Sequence, residues 1–412
     1  MKYSNKIKDA YMVFGYACNQ KCICCPCDKQ SNLEAVIDLE KLKETVNHLC
    51  EIGITDVTIS GGEPTISPHF FQMIEYISNK GLNIHILSNG EKFSNDEFIE
   101  KFIGIVKEKK VSVTITTTFH SYIDAIHEEQ NGSKGSFERS MKGLKLLDEN
   151  GINIALKHCI TKYNYKDLKN FIKLITTDFS PRAEIQLWGI DLCGIDKETA
   201  NKYFVKFEDI KPYIEEALDY FEKINIDDRN QILSINNLPL CMCDCYYWTY
   251  YSLPQAHYYI DYGNKNDEEL DLNYGTLSLE CKNCPFREYC KGTYISVFEV
   301  FGDNIVKKPK NELIIKGHKS KYISYDKNNI KKLYFSIYDG FKLTPRGLYI
   351  FNKKNNNDVN IRLKSRDLLK LINIFSEGIS KDNAQKIFSE WGFDLNKYNV
   401  IEEWMIKGIL EW

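Results

Sequence analysis

The chain of 412 residues has no long hydrophobic run, because no stretch approaches the roughly 18 consecutive apolar residues typical of a membrane span. Its start, MKYSNKIKDAYMVFGYACNQ, contains neither a long apolar segment nor a small-residue cleavage site, so a secretory signal is not expected. The formal net charge is −3, without the basic excess of nucleic-acid-binding proteins. We therefore expect a cytoplasmic protein with neither a membrane nor a nucleic-acid partner.

Cysteine, in contrast, is abundant and clustered. Of 14 cysteines, five lie within 18–27, three within 241–245 and three within 281–290. In a reducing compartment, clustered cysteines are more often metal ligands or catalytic thiols than structural disulfides. The first group stands alone near the start, and the other two groups lie close together at 241–290. These two separate regions therefore predict two metal sites.

Strand-like and helix-like segments alternate from residue 11 to about residue 190. The strand-like segments are 11–16, 56–60, 82–90, 111–118, 152–160 and 183–190. Six strand–helix rounds predict an α/β fold with a parallel sheet, either open or barrel-like. The length of the chain allows two or three domains.

Three of these strands carry polar residues on one face. The polar positions on these faces include Thr114, Thr116, Thr118, Lys157, Cys159, Gln186 and Trp188. A parallel sheet covered on both faces would be apolar on both. The recurring polar face therefore predicts a lumen that holds a polar ligand, rather than local exposure at a sheet edge.

The rest of the chain divides by composition. Residues 195–230 read as helical, and the tyrosine-rich segment 246–262 is expected to pack around a second metal site. The Lys/Asn-rich segment 304–332 reads as a linker. Residues 332–412 predict a hairpin with a turn at Asp339–Gly340, two more strands, and helices near 365–377, 380–391 and 397–410.

Cys18, Cys22 and Cys25 have C-x₃-C-x₂-C spacing and directly follow the first predicted strand, at the end where α/β sheets bind ligands. Three thiolates leave one iron of a 4Fe–4S cluster open to a small chelating molecule. A zinc site favours four ligands from paired knuckles, which this spacing fits poorly. Cys24 and Cys27 fit no ligand position, and we expect them to be thiols without a catalytic role.

This triplet, with SGGEP at 60–64 and LSNG at 87–90, resembles the motif set of the radical S-adenosylmethionine (SAM) enzymes over residues 8–192. The resemblance implies a partial (β/α)₆ barrel and a SAM-binding 4Fe–4S cluster on the three cysteines. It also implies reductive cleavage of SAM to methionine and a 5′-deoxyadenosyl radical that abstracts a substrate hydrogen.

In that family the glycine-rich edge receives the amino group of SAM, and a T-N-G motif lies near the ribose. Here Ser88 replaces the more usual threonine. Gly61 and Gly62 permit close backbone approach, and their carbonyls can accept from an ammonium. The cofactor-binding residues so implied, together with two from the polar lumen, are Gly61, Gly62, Glu63, Pro64, Ser88, Asn89, Thr116 and Lys157.

The C-x₂-C-x₅-C spacing of Cys281, Cys284 and Cys290 resembles the end of the SPASM and twitch extensions of these enzymes, here within residues 193–310. A full SPASM domain has a further cysteine at position 294, where this chain has Tyr294. The resemblance therefore implies one auxiliary cluster, of the 4Fe–4S type. Cys241 best fits the fourth ligand, with Cys243 and Cys245 as rivals, and a zinc knuckle is the alternative.

Residues 330–412 resemble the winged-helix-like element that holds the leader of a ribosomally made precursor peptide. The combined resemblance implies an enzyme that cross-links such a peptide through a thioether or C–C bond, or epimerises one residue, with an electron donor such as flavodoxin or ferredoxin. Cys193 is a candidate hydrogen donor to a substrate radical. The alternatives are a protein or small-molecule substrate with a purely structural tail, and a zinc-stabilised binding protein.

Overall fold

A computed structural model describes a defined part of the chain. The described residues are 8–25, 38–224, 231–243, 247, 250–252, 258–261, 266–268, 275–284, 287, 290–306, 334–335, 339–344, 347–352, 358–361, 381–390, 403–405, 407 and 410–411. The predicted helix at 365–377 lies outside these residues, as do Cys27 and Cys245.

Seven parallel strands form most of the main sheet. They are Asp9–Val13 (β1), Asp56–Ser60 (β2), Asn83–Leu87 (β3), Val113–Thr118 (β4), Asn153–Cys159 (β5), Glu184–Trp188 (β6) and Leu233–Asn236 (β7). The first six confirm the predicted strands, and their parallel pairing confirms the α/β class. The seventh, which the sequence did not predict, extends the sheet beyond β6.

The connecting segments are helical, as the alternation predicts. Up to residue 306, the described residues contain nine α-helices: Leu39–Glu51 (α1), Phe70–Asn79 (α2), Asp96–Lys109 (α3), Asp124–Asn131 (α4), Ser136–Glu149 (α5), Leu168–Asp178 (α6), Lys197–Tyr203 (α7), Phe207–Ile224 (α8) and Ile295–Phe301 (α9). Short 3₁₀ helices lie at Pro64–Ile66, Glu91–Ser94, Leu240–Met242, Leu279–Asn283 and Asp303–Ile305. No helix among the described residues is both long and apolar enough to cross a membrane.

Local sequence explains where several helices begin and which face they bury. At the start of α1, the side chain of Asp38 accepts from the backbone N–H of Glu40 at 2.9 Å. At the start of α3, the side chain of Asn95 accepts from the backbone N–H of Phe98. Caps of this kind stabilise a helix by about 1 kcal/mol. The buried residues of α1 repeat at helical spacing and are Leu42, Val46 and Leu49.

The described residues form a main sheet of nine strands in the order β7-β6-β5-β4-β3-β2-β1-β8-β9, where β8 is Tyr258–Asp261 and β9 is Asn266–Glu268. Strand β8 pairs with β1 in parallel, and the Tyr11 and Tyr259 rings stack at 5.9 Å. Part of the tyrosine-rich segment therefore belongs to this sheet. The expectation that the segment packs around a second metal site stays a prediction.

The sheet is curved into a partial barrel. In a flat sheet, six strand spacings of about 4.8 Å would separate β1 from β7 by nearly 30 Å. Yet Tyr11 of β1 and Asn236 of β7 line one cavity of about 420 Å³. The face predicted to be polar lines this cavity, while Ile115, Ile154 and Ile185 on the opposite face are buried. The predicted polar lumen is therefore present.

The chain separates into two compact units. The first unit contains Met1–Pro239, Ser252–Leu279 and Lys291–Val306, and the second contains Leu240–Tyr251, Glu280–Cys290 and Lys307–Trp412. The first unit continues past residue 192, where the sequence places the end of the SAM domain. The three-part division at 8–192, 193–310 and 330–412 stays a prediction about domain families.

The described residues of the second unit include two small sheets. Strands Asp339–Thr344 (β11), Gly347–Asn352 (β12) and Asp358–Ile361 (β13) form an antiparallel sheet, and Tyr334–Phe335 (β10) pairs with Leu410–Glu411 (β14). The predicted turn at Asp339–Gly340 was wrong, because both residues lie in β11 and pair with residues of β12. Lys381–Glu390 (α10) confirms the predicted helix at 380–391, and Phe388 packs edge-on against Trp404 at 5.6 Å.

Candidate active site

The cluster loop, defined here as residues 15–25, follows β1 and packs against the glycine-rich edge that follows β2. The backbone N–H of Gly62 donates to Gly15 O at 2.8 Å, and that of Glu63 donates to Ala17 O at 2.8 Å. A Cβ on Gly61 would lie 2.1 Å from Gly15 O, and one on Gly62 would lie 2.1 Å from Ala17 O. Both glycines are therefore needed for the cluster loop to reach this position.

Glu63 joins the glycine-rich edge to the LSNG loop. Its Oε1 accepts from Ser88 Oγ at 2.8 Å and from Thr65 Oγ1 at 2.6 Å. Its Oε2 accepts from the Asn89 backbone N–H at 2.6 Å. Burial raises the pKa of Glu63, and these donors oppose that rise. Pro64 begins the 3₁₀ helix that Glu63 caps, so this predicted cofactor segment is held by internal contacts.

The LSNG loop also holds the cluster loop directly. Asn89 Nδ2 donates to Asn19 Oδ1 at 2.8 Å, and Gln20 Nε2 donates to Glu91 Oε1 at 2.7 Å. Glu91 is buried, and its second oxygen accepts from Arg139 Nε at 2.7 Å. Sequence reasoning missed Glu91 and Arg139. An acidic residue directly after a motif at a strand end was the available signal.

A backbone contact holds the other side of the cluster loop. The N–H groups of Lys21 and Ile23 donate to Asn131 O at 2.9 Å and Gln130 O at 3.0 Å, at the end of α4. Gly132, with φ +66°, ends that helix close to Lys21 O. The cluster loop is therefore fixed from three directions by segments distant in sequence.

The three predicted cluster cysteines lie on this loop. Cys18 is exposed, while Cys22 and Cys25 are half-buried, and the Cys25 N–H donates to Cys22 O at 3.2 Å. Desolvation of its sulfur atom by the surrounding loop raises the pKa of the Cys18 thiol to about 11. Burial, followed by the nearby Cys25 and Cys18, raises the pKa of Cys22. Three partly accessible thiols within electrostatic range on one loop suit a cluster that leaves one iron open.

Among the described residues, no three His, Cys, Asp or Glu side chains converge to hold a single metal ion. The cysteines of a 4Fe–4S cluster bind different irons, so such convergence is not what a cluster site requires. The fit of the cluster loop therefore rests on its three thiols and on the close backbone packing around them.

The cavity lies at the carboxyl ends of the parallel strands. Its strand-borne lining residues include Tyr11, Thr58, His85, Leu87, Thr116, Lys157, Cys159, Gln186, Trp188 and Asn236. Ile23 and Cys24 of the cluster loop form part of the same wall. Thr116 and Lys157 thus lie where the sequence predicts. Cys193 is exposed and is not a lining residue, so the structure does not bring it to the cavity.

The cationic and histidine side chains of the cavity have distinct environments. Lys157 Nζ lies 4.1 Å from the centroid of the Trp188 ring, a cation–π contact. His85 Nε2 lies 2.5 Å from Thr116 Oγ1. Burial, aided by Lys157, lowers the pKa of His85 to about 4, and burial lowers that of His120 to about 3. Both imidazoles are therefore neutral near pH 7.

A chain of polar contacts orients Trp188 in the wall. Trp188 Nε1 donates to Gln186 Oε1 at 3.1 Å, and Gln186 Nε2 donates to Glu184 Oε1 at 3.2 Å. Ser234 Oγ of the neighbouring strand also donates to Glu184. Burial raises the pKa of Glu184 despite these donors. The alternation of polar residues along β6 supplied the sequence signal for this chain.

The second unit brings four other predicted ligands together. Burial raises the pKa of Cys241, and the three nearby cysteines Cys290, Cys281 and Cys284 raise it further. The Leu240 N–H donates to Cys290 Sγ at 3.4 Å. The rival Cys243 is buried and lies beside Tyr251. The structure therefore groups Cys241 with the C-x₂-C-x₅-C cysteines, although its role as a ligand stays a prediction.

A model of the Radical SAM superfamily matches residues 12–175. The chain is 22% identical over 173 residues to the antilisterial bacteriocin subtilosin biosynthesis protein AlbA of Bacillus subtilis (strain 168), covering 42% of this chain and 37% of AlbA. It is 27% identical over 166 residues to the Fe-coproporphyrin III synthase of Methanosarcina barkeri (strain Fusaro / DSM 804), covering 40% of each. The chain thus matches about two fifths of the length of these relatives.

Among solved structures, native anSMEcpe with bound AdoMet and Cp18Cys peptide is similar with a TM-score of 0.51 and 14% identity, over 73% of this chain and 92% of that one. At this identity the likeness concerns the fold, and it agrees with the curved parallel sheet. The family match spans the cysteine triplet, the glycine-rich edge and the LSNG loop. Residues 12–175 therefore match the radical SAM superfamily, whose members use SAM and a 4Fe–4S cluster.

Proposed function

We propose that this protein is a radical SAM enzyme that modifies a ribosomally made peptide. The reaction would install a thioether or C–C cross-link or epimerise one residue. One observation carries the proposal: the loop bearing Cys18, Cys22 and Cys25 is fixed at a polar cavity that its own Ile23 and Cys24 help to line. A radical generated at such a loop would form beside a substrate in that cavity.

The bound SAM and reduced cluster would supply a 5′-deoxyadenosyl radical, with an external donor such as flavodoxin or ferredoxin providing the electron. The chain's own residues perform the positioning. Glu63 and Glu91 hold the cluster loop and the LSNG loop in one arrangement. Trp188, oriented by Gln186, and Lys157 form a fixed wall for SAM or substrate.

Two observations favour a peptide substrate. AlbA is by its name a biosynthesis protein of the bacteriocin subtilosin, and anSMEcpe was solved with a bound peptide. In the second unit, strands β11 and β13 each pair on one side only, with β12, among the described residues. A leader peptide would add as a further strand to one of these edges.

The grouped cysteines of the second unit support an auxiliary iron–sulfur cluster. The proposed ligands are Cys241, Cys281, Cys284 and Cys290. Four thiolates complete the protein ligands of a 4Fe–4S cluster, which would then relay electrons or bind substrate. The cytoplasmic location remains part of the proposal, because the cluster thiols need a reducing compartment.

Anaerobic reconstitution tests the cofactor part of this proposal. Two 4Fe–4S clusters require about eight irons and matching sulfide per chain. SAM cleavage should be lost in Cys22→Ala, with folding checked by circular dichroism. Zinc bound without sulfide would refute the enzyme and support a zinc-stabilised binding protein.

A truncation tests the peptide part. If a short precursor peptide is encoded beside this gene, removing residues 332–412 should abolish its binding while SAM cleavage continues. Mass spectrometry of the co-expressed peptide would then identify the modified residue and the bond formed. Unchanged peptide modification by the truncated chain would overturn the recognition role of the tail.

A second candidate function is the modification of a small molecule. The match to Fe-coproporphyrin III synthase, whose name indicates a porphyrin product, favours it. In that case the C-terminal residues would be structural only. Co-expression with any short peptide encoded beside this gene would then leave the mass of that peptide unchanged, which distinguishes this candidate from the first.

A further inference from the structure

Lys291 enters the wall of the cavity from a segment far from the radical SAM motifs. Thr276 and Thr293 form an antiparallel bridge whose two N–H···O distances are 2.6 and 3.1 Å. A Cβ on Gly275 would lie 1.8 Å from Lys291 O, and one on Gly292, with φ +68°, would lie 2.0 Å from Thr276 O. The backbone around Lys291 is therefore fixed by contacts that only glycine permits at these two positions.

The charges that line the cavity do not balance among the described residues. Lys157, Lys291 and Asp191 are the charged lining side chains. Asp191 Oδ1 is engaged by Ser296 Oγ at 2.7 Å and by the Cys193 N–H at 3.0 Å. Lys157 packs on Trp188. In the described part of the chain, no salt bridge to Lys291 is present.

Lys291 is half-buried. An ammonium partly withdrawn from water without a carboxylate partner is unfavourable, and an anionic ligand offsets that cost. Lysine presents a compact charge with three donors, which suits one carboxylate. Carboxylates are the anions that an unmodified peptide carries at neutral pH. The partner that the cavity leaves room for is therefore a substrate carboxylate.

We propose that Lys291 binds a carboxylate of the peptide substrate and thereby selects peptides that carry one near the modified residue. This inference rests on the proposed function. The carboxylate belongs either to an Asp or Glu side chain or to the free C-terminus of the peptide. The two sources share one chemistry, so the probes below separate them.

Protection from acetylation measures this contact on the reconstituted full-length protein. The probe N-acetyl-glutamate methylamide carries only a side-chain carboxylate, N-acetyl-glutamine carries only an α-carboxylate, and N-acetyl-glutamine methylamide is neutral. We expect one of the two carboxylate probes to slow Lys291 acetylation several-fold, as read by peptide mass spectrometry, while exposed Lys197 is unchanged. The protecting probe identifies the source.

Three outcomes would overturn the proposal: no protection by either carboxylate probe, equal protection by the neutral amide, or equal protection by SAM alone. The last outcome would assign the carboxylate to the cofactor. Each is read directly from the same acetylation experiment, so none depends on turnover.

Variants provide a second measurement by ligand-observed NMR. Lys291→Met should weaken binding of the protecting probe at least about tenfold, whereas Lys291→Arg should retain most of it. The matched control Lys197→Met, at an exposed position of α7, should leave the affinity for the probe unchanged. Equal affinity in Lys291→Met and the folded wild type would contradict the proposal.

The failure of this inference is separable from failure of the proposed function. If Lys291→Met still cleaves SAM but binds the carboxylate probe normally, only the carboxylate contact is refuted. If the reconstituted wild type fails to cleave SAM while Lys291 is still protected, the radical SAM function is refuted and the carboxylate site stands.

Discussion

Glu63 accepts a hydrogen bond from the hydroxyl of Ser88 at 2.8 Å, and this contact joins the loops that follow β2 and β3. The same carboxylate accepts from the Asn89 N–H and caps the 3₁₀ helix that starts at Pro64. Because the carboxylate is buried, each donor that it satisfies would otherwise lose a partner. Glu63 is therefore a positioning residue within the predicted SAM site.

Replacement of this carboxylate should disturb the site. Glu63→Gln substitutes an NH₂ donor for an acceptor and leaves a buried donor facing another donor. We expect a loss of about 1–3 kcal/mol in the free energy of unfolding and weaker SAM binding. Denaturant unfolding and equilibrium dialysis measure the two effects. Glu100→Gln, on the exposed face of α3, should change neither the unfolding free energy nor SAM binding. If both variants gave the same two values, the positioning role of Glu63 would be contradicted.

The glycine-rich edge should not tolerate a methyl group. Gly62→Ala places a Cβ 2.1 Å from Ala17 O, so the cluster loop must move. We expect a clear loss of iron incorporated on reconstitution together with a lower melting temperature. Gly104→Ala is the matched control, because nothing lies within 4 Å of its added Cβ in α3. Alanine there should be neutral or stabilise by up to about 1 kcal/mol. Normal iron content in Gly62→Ala would refute the packing argument.

The cysteines of the cluster loop should differ in consequence. Cys22→Ala should abolish SAM cleavage, because it removes a predicted ligand. Cys24→Ala should leave SAM cleavage intact, although Cys24 lines the cavity. Formation of 5′-deoxyadenosine, measured by chromatography, separates the two. Loss of both SAM cleavage and bound iron in Cys24→Ala would show that spacing assigned the wrong cysteines.

Buried histidines should make the protein sensitive to acid. Burial lowers the pKa of His85, His127 and His158 from 6.5 to about 4, and that of His120 to about 3. Between pH 6.5 and these values the unfolded chain binds more protons than the folded one, so stability falls as pH falls. Each histidine contributes at most about 1.4 kcal/mol per pH unit to the slope of the unfolding free energy against pH.

Denaturant unfolding from pH 7 to pH 4 checks this prediction. The slope of the unfolding free energy against pH should be shallower in His158→Gln than in the wild type. The difference should be at most about 1.4 kcal/mol per pH unit, which corresponds to one proton fewer taken up on unfolding. A wild-type stability that stays constant from pH 6.5 to pH 4 would contradict the burial of these histidines as neutral groups.

Several features of the fold followed from local sequence patterns. Alternation along β4 and β6 placed Thr116 and Gln186 on the cavity face, because successive strand residues point to opposite sides. The turn expected at Asp339–Gly340 failed, since tertiary pairing placed both residues inside β11. Strand β8 beside β1 was not predicted because the two are more than 200 residues apart along the chain. No local pattern encodes such a pairing.

The sequence by itself determined the cysteine spacing, the order of the motifs and the polar face of the strands, because each depends on neighbouring residues. Only the tertiary structure brought Glu63 to Ser88, Gln20 to Glu91, and Lys291 into the cavity. These contacts depend on parallel strands ending at one edge and on glycines that let backbones approach closely. YACNQKCICCPCD supplies the predicted ligands, and distant segments fix the loop that presents them.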